Sequence, residues 1–168
     1  MPQVAPARPP ATWLRRTGAR LVDLVLVMVP SAVAAGIVGL VWLGALALGG
    51  GAKAENFFII FCVCYFLILV GYDAVNVARR RRTAGKKLLD LEVAPREGGG
   101  HPGPIPIASI VARAAVFHVW VLFWWIPGWN VVAGILFLVF CVLWPLWSRP
   151  YGQGVHDHVA RTIVVHSG

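Results

Sequence analysis

The sequence predicts an all-α transmembrane protein: a four-helix membrane bundle with both termini cytoplasmic and small cytoplasmic strand-like segments. Three observations predict it. Of 168 residues, 58% are hydrophobic and only 13% are charged, against about 25% charged in a soluble domain. The apolar residues gather into runs long enough to cross a bilayer. The arginines lie outside most of these runs, in segments that would share one side of the membrane.

The mean hydropathy of +0.73 excludes a disordered tail and an ordinary soluble fold. The length suits one domain. Fifteen Lys and Arg against seven Asp and Glu give a net charge of +8, which fits either nucleic acid or an anionic membrane surface. Cys62, Cys64 and Cys141 all fall inside apolar runs and none lies in a CxxC. They read as buried thiols acting as small hydrophobes.

Residues 1–12 hold four prolines and no periodic pattern, so a flexible cytoplasmic tail is expected. The first apolar run, 21–48, is broken by Asp23. As a helix its 28 residues reach roughly 42 Å, more than a hydrocarbon core of about 30 Å, and tilt or a kink at Pro30 would absorb the excess. A secretory signal is a poor fit, because its apolar region runs to only about 7–15 residues. The second run is 57–77, with Asp73 and Asn76 near its end. From Ile107 to Trp147 the chain is almost continuously apolar, too long for one span and right for two. Ile126-Pro127-Gly128-Trp129-Asn130 sits halfway and carries a Pro-Gly turn signal. A helical hairpin is expected, with spans 107–126 and 129–147.

Charge placement orients the spans. Arg8, Arg15, Arg16 and Arg20 precede the first; Arg79, Arg80, Arg81, Arg82, Lys86, Lys87 and Arg96 follow the second; Arg149 and Arg161 lie in the tail. Basic loops stay cytoplasmic, so four spans with both termini inside satisfy every loop. Trp124, Trp125 and Trp129 then cluster at the outer turn, while Trp13, Trp144 and Trp147 sit at inner ends, as an aromatic belt requires. Arg79, Arg80, Arg81 and Arg82 follow a span directly and are expected to touch anionic lipid headgroups. Nucleic acid is not an expected partner, because the aromatics lie in the spans rather than among the arginines.

Ionisable residues in spans are costly and usually have a partner or a task. Asp23, Asp73, Arg113 and His118 stand out. Arg16, Arg20 and Asp23 follow i, i+4, i+7 spacing and share a helix face. Asp23, Asp73 and Arg113 would all lie near inner ends of spans. A buried polar cluster of arginines and aspartates neutralising one another is expected there, either as an ion site at the mouth of a pathway or as interhelical ion pairs pinning the bundle. His118, deeper in the third span, reads as a proton relay or as a histidine hydrogen-bonded to a neighbouring helix. Ala32, Ala35, Gly36 and Gly39 form a small-residue face that serves a bundle or a homodimer equally.

On the cytoplasmic side, 83–106 forms a loop and 148–168 a tail. Leu89, Leu91 and Val93 alternate with Asp90 and Glu92, a short strand signature. Thr162-Ile163-Val164-Val165 reads as a second strand, and the two are expected to pair on the inner membrane face. Residues 98–106 form a linker. Gly85-Lys86 lacks the upstream Gly and following Ser/Thr of a phosphate loop. His156-Asp157-His158 has no Cys or Glu to complete a metal site. No catalytic triad spacing or nucleotide fingerprint is present, so neither an enzyme nor a cofactor is expected.

Three blocks of sequence resemble the RDD family of membrane proteins. Arg15-Arg16-Thr17-Gly18-Ala19-Arg20-Leu21-Val22-Asp23 resembles its opening R-x-x-A-x-x-x-D, at Arg16, Ala19 and Asp23. Thr83-Ala84-Gly85-Lys86-Lys87-Leu88-Leu89-Asp90-Leu91-Glu92-Val93 resembles its T-x-G-K-x-L-x-x-L-x-V. Gly152-Gln153-Gly154-Val155-His156-Asp157-His158-Val159-Ala160-Arg161-Thr162 resembles its closing Q-x-x-x-D-x-x-A-G-T. The blocks come in order and set the transmembrane domain at 13–165. The resemblance implies that Arg16, Asp23 and Asp157 are the residues for which the family is named. It also implies a multi-pass bacterial inner-membrane protein of transport type, cation/proton exchange being proposed for some members. Two departures stand out: Arg161 replaces the small Gly before Thr162, and the Arg79–Arg82 run is more basic than usual.

Asp157 is expected to dock against a basic residue of the Arg16, Arg20, Asp23 and Arg113 group. Asp73, less obviously paired, is the better proton-linked carboxylate. The expected function is a small transport-type protein, with a monovalent cation or proton as its ion. It is expected to work as a homo-oligomer, since a pathway needs more wall than four short helices supply. The alternative is a non-transporting protein that binds a partner through its basic cytoplasmic face.

Overall fold

Two long helices, the first beginning at Trp13 and the second ending at Arg80, pack along each other in a computed structural model that describes residues 8–51, 53–97, 103–148 and 151–167. Helix α1 is Trp13–Leu48 and passes through Pro30; α2 is Ala54–Arg80. Their contact is built from small residues on α1: Ala35 packs in a cluster with Tyr65 and Leu69, and Gly39 lies against the Phe57 ring. The small-residue face therefore serves contact within the chain along this stretch. A short helix, α3 (Ala84–Leu88), folds back against α1. Strand β1 (Leu91–Pro95) follows.

The segment read as a third span begins as α4, Ile107–His118, and tightens into a 3₁₀ stretch over Val119–Phe123. The turn falls at the Pro-Gly pair, with Gly128 at φ +82°. Helix α5 is Trp129–Phe137; it widens to a π-helix over Leu138–Leu143 and ends in a 3₁₀ turn, Trp144–Leu146. The expected second helix of the hairpin is therefore present, with an irregular ending. Its cause is local. Pro145 has no N–H for the Cys141 carbonyl, and irregular turns accommodate the loss; the Trp13 indole N–H donates to Val142 O at 2.8 Å. Helix α6 (Val155–Val159) and strand β2 (Thr162–His166) complete the chain.

Among the described residues, three helical segments are long and apolar enough to cross a membrane: Trp13–Leu48, Glu55–Arg80 and Trp129–Leu146. Ile107–Phe123 is apolar but shorter. The pairing expected of the two strands is present. β1 and β2 run antiparallel, with Leu91 opposite His166 and Pro95 opposite Thr162. Ala11 N–H donates to Val164 O at 2.9 Å, so the residues before α1 extend the same small sheet. Residues 84–88, by contrast, are helical ahead of the strand. The sheet gathers the start of α1, the chain after α2 and the C-terminal segment at one end of the molecule. Residues 1–7 of the expected tail, 98–102 of the expected linker and Arg149 lie outside the described residues.

Candidate functional site

At the sheet end, α1, α2, α4, α5 and α6 surround a cavity of about 320 Å³. All six residues of the expected polar cluster line it: Arg16, Arg20, Asp23, Asp73, Arg113 and Asp157. They do not neutralise one another as a single group. The structure divides them into four arrangements.

Arg16, one turn into α1, binds backbone. Its guanidinium donates to Tyr151 O at 2.9 Å, to Val164 O at 3.0 Å and to Gly152 O. These carbonyls belong to the C-terminal segment, so Arg16 ties α1 to residues more than 130 positions away. Asp23, two turns further on, meets no arginine among the described residues. Its carboxylate accepts from Gly85 N–H at 2.8 Å, from the Thr83 hydroxyl and from Tyr72 Oη at 3.5 Å. Thr83 is the N-cap residue of α3 and makes no side-chain cap of its own. Asp23 therefore caps α3 from another helix, satisfying N–H groups that have no intrahelical partner. Gly85 is required there: a Cβ at this position would overlap the Ala19 carbonyl.

Arg113 and Asp157 form a buried ion pair, Nε to Oδ1 at 2.7 Å. Asp157 stands outside the long helices on α6. Burial works against its ionisation, and the positive charge of His156, Arg113 and Arg16 together outweighs that, holding the carboxyl well below its usual range. Beside it His156 packs edge-on against Phe117. Burial, the largest cause, lowers the His156 pKa to about 3.

The fourth arrangement gives Asp73, the less obviously paired carboxylate, two cationic neighbours. Arg20 Nη1 lies 3.6 Å from Asp73 Oδ1 and Lys86 Nζ lies 3.9 Å from it. Both are ion-pair distances and neither is a hydrogen bond. Asp73 and Lys86 are each 2% exposed, and among the described residues both Asp73 oxygens and Lys86 Nζ lack a hydrogen-bond partner. The Arg20 guanidinium also lies over the Phe117 ring at 4.0 Å, and His118 joins the same cavity wall. Burial, reinforced by Arg20 and Arg113, lowers the Lys86 pKa to about 7 despite the opposing Asp73.

Lys86 is the residue that reasoning from spans missed, because it sits outside them. Its signal was the Gly-Lys pair inside the Thr83–Val93 block, which makes sense once α3 folds back: Gly85 allows the close approach to α1 and Lys86 then enters the cavity. Arg79 and Arg80 end α2 exposed to solvent, and Arg81 turns toward Glu92 at 3.8 Å. These arginines stand apart from the cavity. Among the described residues no group of three His, Cys, Asp or Glu side chains converges on a metal position. Cys62, Cys64 and Cys141 are free thiols.

No curated protein and no solved structure matches the chain. A model of the RDD family does match, over residues 10–161. That span takes in the Arg16 clamp, the Asp23 cap and the Arg113–Asp157 pair, so the chain belongs to the RDD family of membrane proteins.

Proposed function

We propose that this chain is a small transport-type membrane protein that exchanges a monovalent cation for a proton at the buried Lys86–Asp73 pair. The observation that carries the reading is this pair: an ammonium and a carboxylate 3.9 Å apart, both buried, neither hydrogen-bonded, inside a cavity. Arg16, Arg20 and Arg113 balance Asp23, Asp73 and Asp157 around that cavity, so the proton on Lys86 sets its net charge. Below about pH 7 Lys86 is charged and serves as the counter-ion of Asp73. Above it the ammonium loses its proton, and a monovalent cation beside Asp73 restores the same net charge. The result is a one-for-one exchange without charge build-up in a low-dielectric site, where an uncompensated charge is costly.

The topology that goes with this reading is four spans in the bacterial inner membrane with both termini cytoplasmic. It is supported by the small sheet, which gathers the start of α1, the end of α2 and the C-terminal strand at one end, and by the basic charge there. Ile107–Phe123 would be the shortest crossing. Arg79, Arg80 and Arg82 would meet anionic headgroups at the cytoplasmic surface, and two or more copies would complete the pathway wall.

The test is cation-driven proton flux in proteoliposomes with a trapped pH dye. Wild type should exchange Na⁺, K⁺ or Li⁺ for protons, with activity rising through pH 7. Asp73→Asn should abolish exchange. Lys86→Arg, which keeps its charge at every working pH, should be inactive throughout. No flux from folded wild type with any of these cations would overturn exchange and favour a protein that docks a partner on its basic face.

A further inference from the structure

We propose that the cavity is also a binding chamber for one acidic amphiphile from the bilayer, its hydroxylated headgroup seated on Arg20, Lys86, Arg113 and Asp73. The proposal concerns occupancy and stands whether or not ions are exchanged.

The shape of the chamber comes first. Its polar residues lie at the sheet end, and above them the walls are apolar, with Met28, Leu69 and Phe137 among them. Among the described residues α1 makes no extensive contact with α5 or with the turns that continue it. The Trp13–Val142 hydrogen bond closes the lower edge of the gap between them. Higher up, Leu24 and Leu138 line the chamber from the two sides and are 43% and 48% exposed. In a membrane this gap opens sideways onto lipid. An acyl chain can enter it without leaving an apolar environment, while a headgroup is drawn to the polar floor.

The floor selects the headgroup. Among the described residues Arg16 Nε, Arg20 Nη2, Lys86 Nζ and Arg113 Nη1 are buried donors without hydrogen-bond partners, and the Trp120 indole N–H on the wall is another. Against them stand the two unpartnered oxygens of Asp73 and the ring nitrogen His156 Nδ1. Donors on five side chains against one carboxylate and one imidazole nitrogen call for an acceptor-rich, negatively charged group, and buried donors left unpaired are costly. Asp73 adds a condition. It repels a bare anion but accepts from hydroxyls, so the fitting headgroup carries one negative charge together with hydroxyl groups. The charge count agrees: with Lys86 protonated the cavity has one cation in excess, and a single negative charge neutralises it. Such a ligand would keep Lys86 protonated, so its binding would oppose cation entry at the same floor.

Native mass spectrometry of the full chain in detergent tests this with phosphatidylglycerol as probe. Phosphatidylcholine of the same acyl chains and glycerol 3-phosphate, which has the headgroup chemistry without the chains, serve as comparisons. One tightly held phosphatidylglycerol is expected, preferred over either comparison by about tenfold or more, which corresponds to about 1.4 kcal/mol. Leu24→Trp and, separately, Leu138→Trp fill the chamber mouth from opposite sides and should each remove it. Replacing Arg79, Arg80, Arg81 and Arg82 together by Gln should strip loosely held lipid and leave the tight one. Equal retention of phosphatidylcholine would overturn the headgroup assignment. Equal binding of glycerol 3-phosphate would overturn the amphiphile. Loss of the tight lipid in the arginine variant but not in the tryptophan variants would place it on the surface. A lipid-free dimer broken by Leu24→Trp would show that a second copy fills the gap instead.

Discussion

The Arg113 Nε–H donates to Asp157 Oδ1 at 2.7 Å, joining α4 to α6 across 44 residues of sequence. Both side chains are almost wholly buried. Removing one member of such a pair leaves an uncompensated charge, at a cost of about 3–5 kcal/mol, whereas removing both can be neutral. Asp157→Leu should therefore strongly lower stability in detergent. The double variant Arg113→Met with Asp157→Leu should recover most of the loss. A double-mutant cycle with no coupling energy would show that the pair does not act as a unit.

Gly85 should not tolerate a side chain. Its N–H reaches Asp23 only because its α-carbon lies against the Ala19 carbonyl. Gly85→Ala must push α3 away from α1, costing about 1–3 kcal/mol or more, and should withdraw Lys86 from the cavity. Denaturant titration beside Gly71→Ala, where a Cβ meets nothing within 4 Å, checks this. Equal effects at the two sites would contradict the close approach.

Acid should destabilise the α6 region, with the sign set by His156 and Asp157. The folded-state pKa of His156 is lowered from 6.5 to about 3, so between those values the unfolded chain binds the proton and the folded chain does not. Stability is lost as pH falls through that window. The lowered Asp157 pKa acts in the same direction at the acid end of it. Thermal unfolding from pH 7 to pH 4 should show a steep loss in wild type and a shallower one in His156→Phe.

Arg161→Gly should stabilise the protein. Arg161 holds φ +51° just before β2, a left-handed conformation that costs a non-glycine residue roughly 1–2 kcal/mol. The side chain is 79% exposed and its pairing with Glu97 at 3.6 Å is equally exposed, so little is lost with it. Part of the gain is offset by the extra freedom of Gly in the unfolded chain. A net rise of about 1 kcal/mol in unfolding free energy is expected. A fall would show that Arg161 makes a contribution beyond its backbone. A glycine before the closing threonine, as in the A-G-T pattern that this segment resembles, thus has a conformational reason.

Much of the architecture was legible in the sequence because it follows local rules. Hydrophobic runs of 20 residues or more mark helices, Pro127-Gly128 marks a turn, and alternation at Leu91 and Val93 marks a strand. The six ionisable residues were also legible as a set, since charge in an apolar run has few explanations. Their partners were not. Asp23 looks like an arginine's counter-ion from its spacing to Arg16 and Arg20, yet it caps α3. Asp73 looks less obviously paired because Lys86 lies in the next segment and returns only when α3 folds back.

By itself the sequence determined the long apolar helices, the strands and the turn of the hairpin, because each depends on residues close to one another in the chain. The tertiary structure alone decided that Lys86 is buried facing Asp73, that Arg16 grips the C-terminal carbonyls, and that α1 and α5 make little contact. Those outcomes depend on how helices cross and how closely backbones approach, and no local period encodes either.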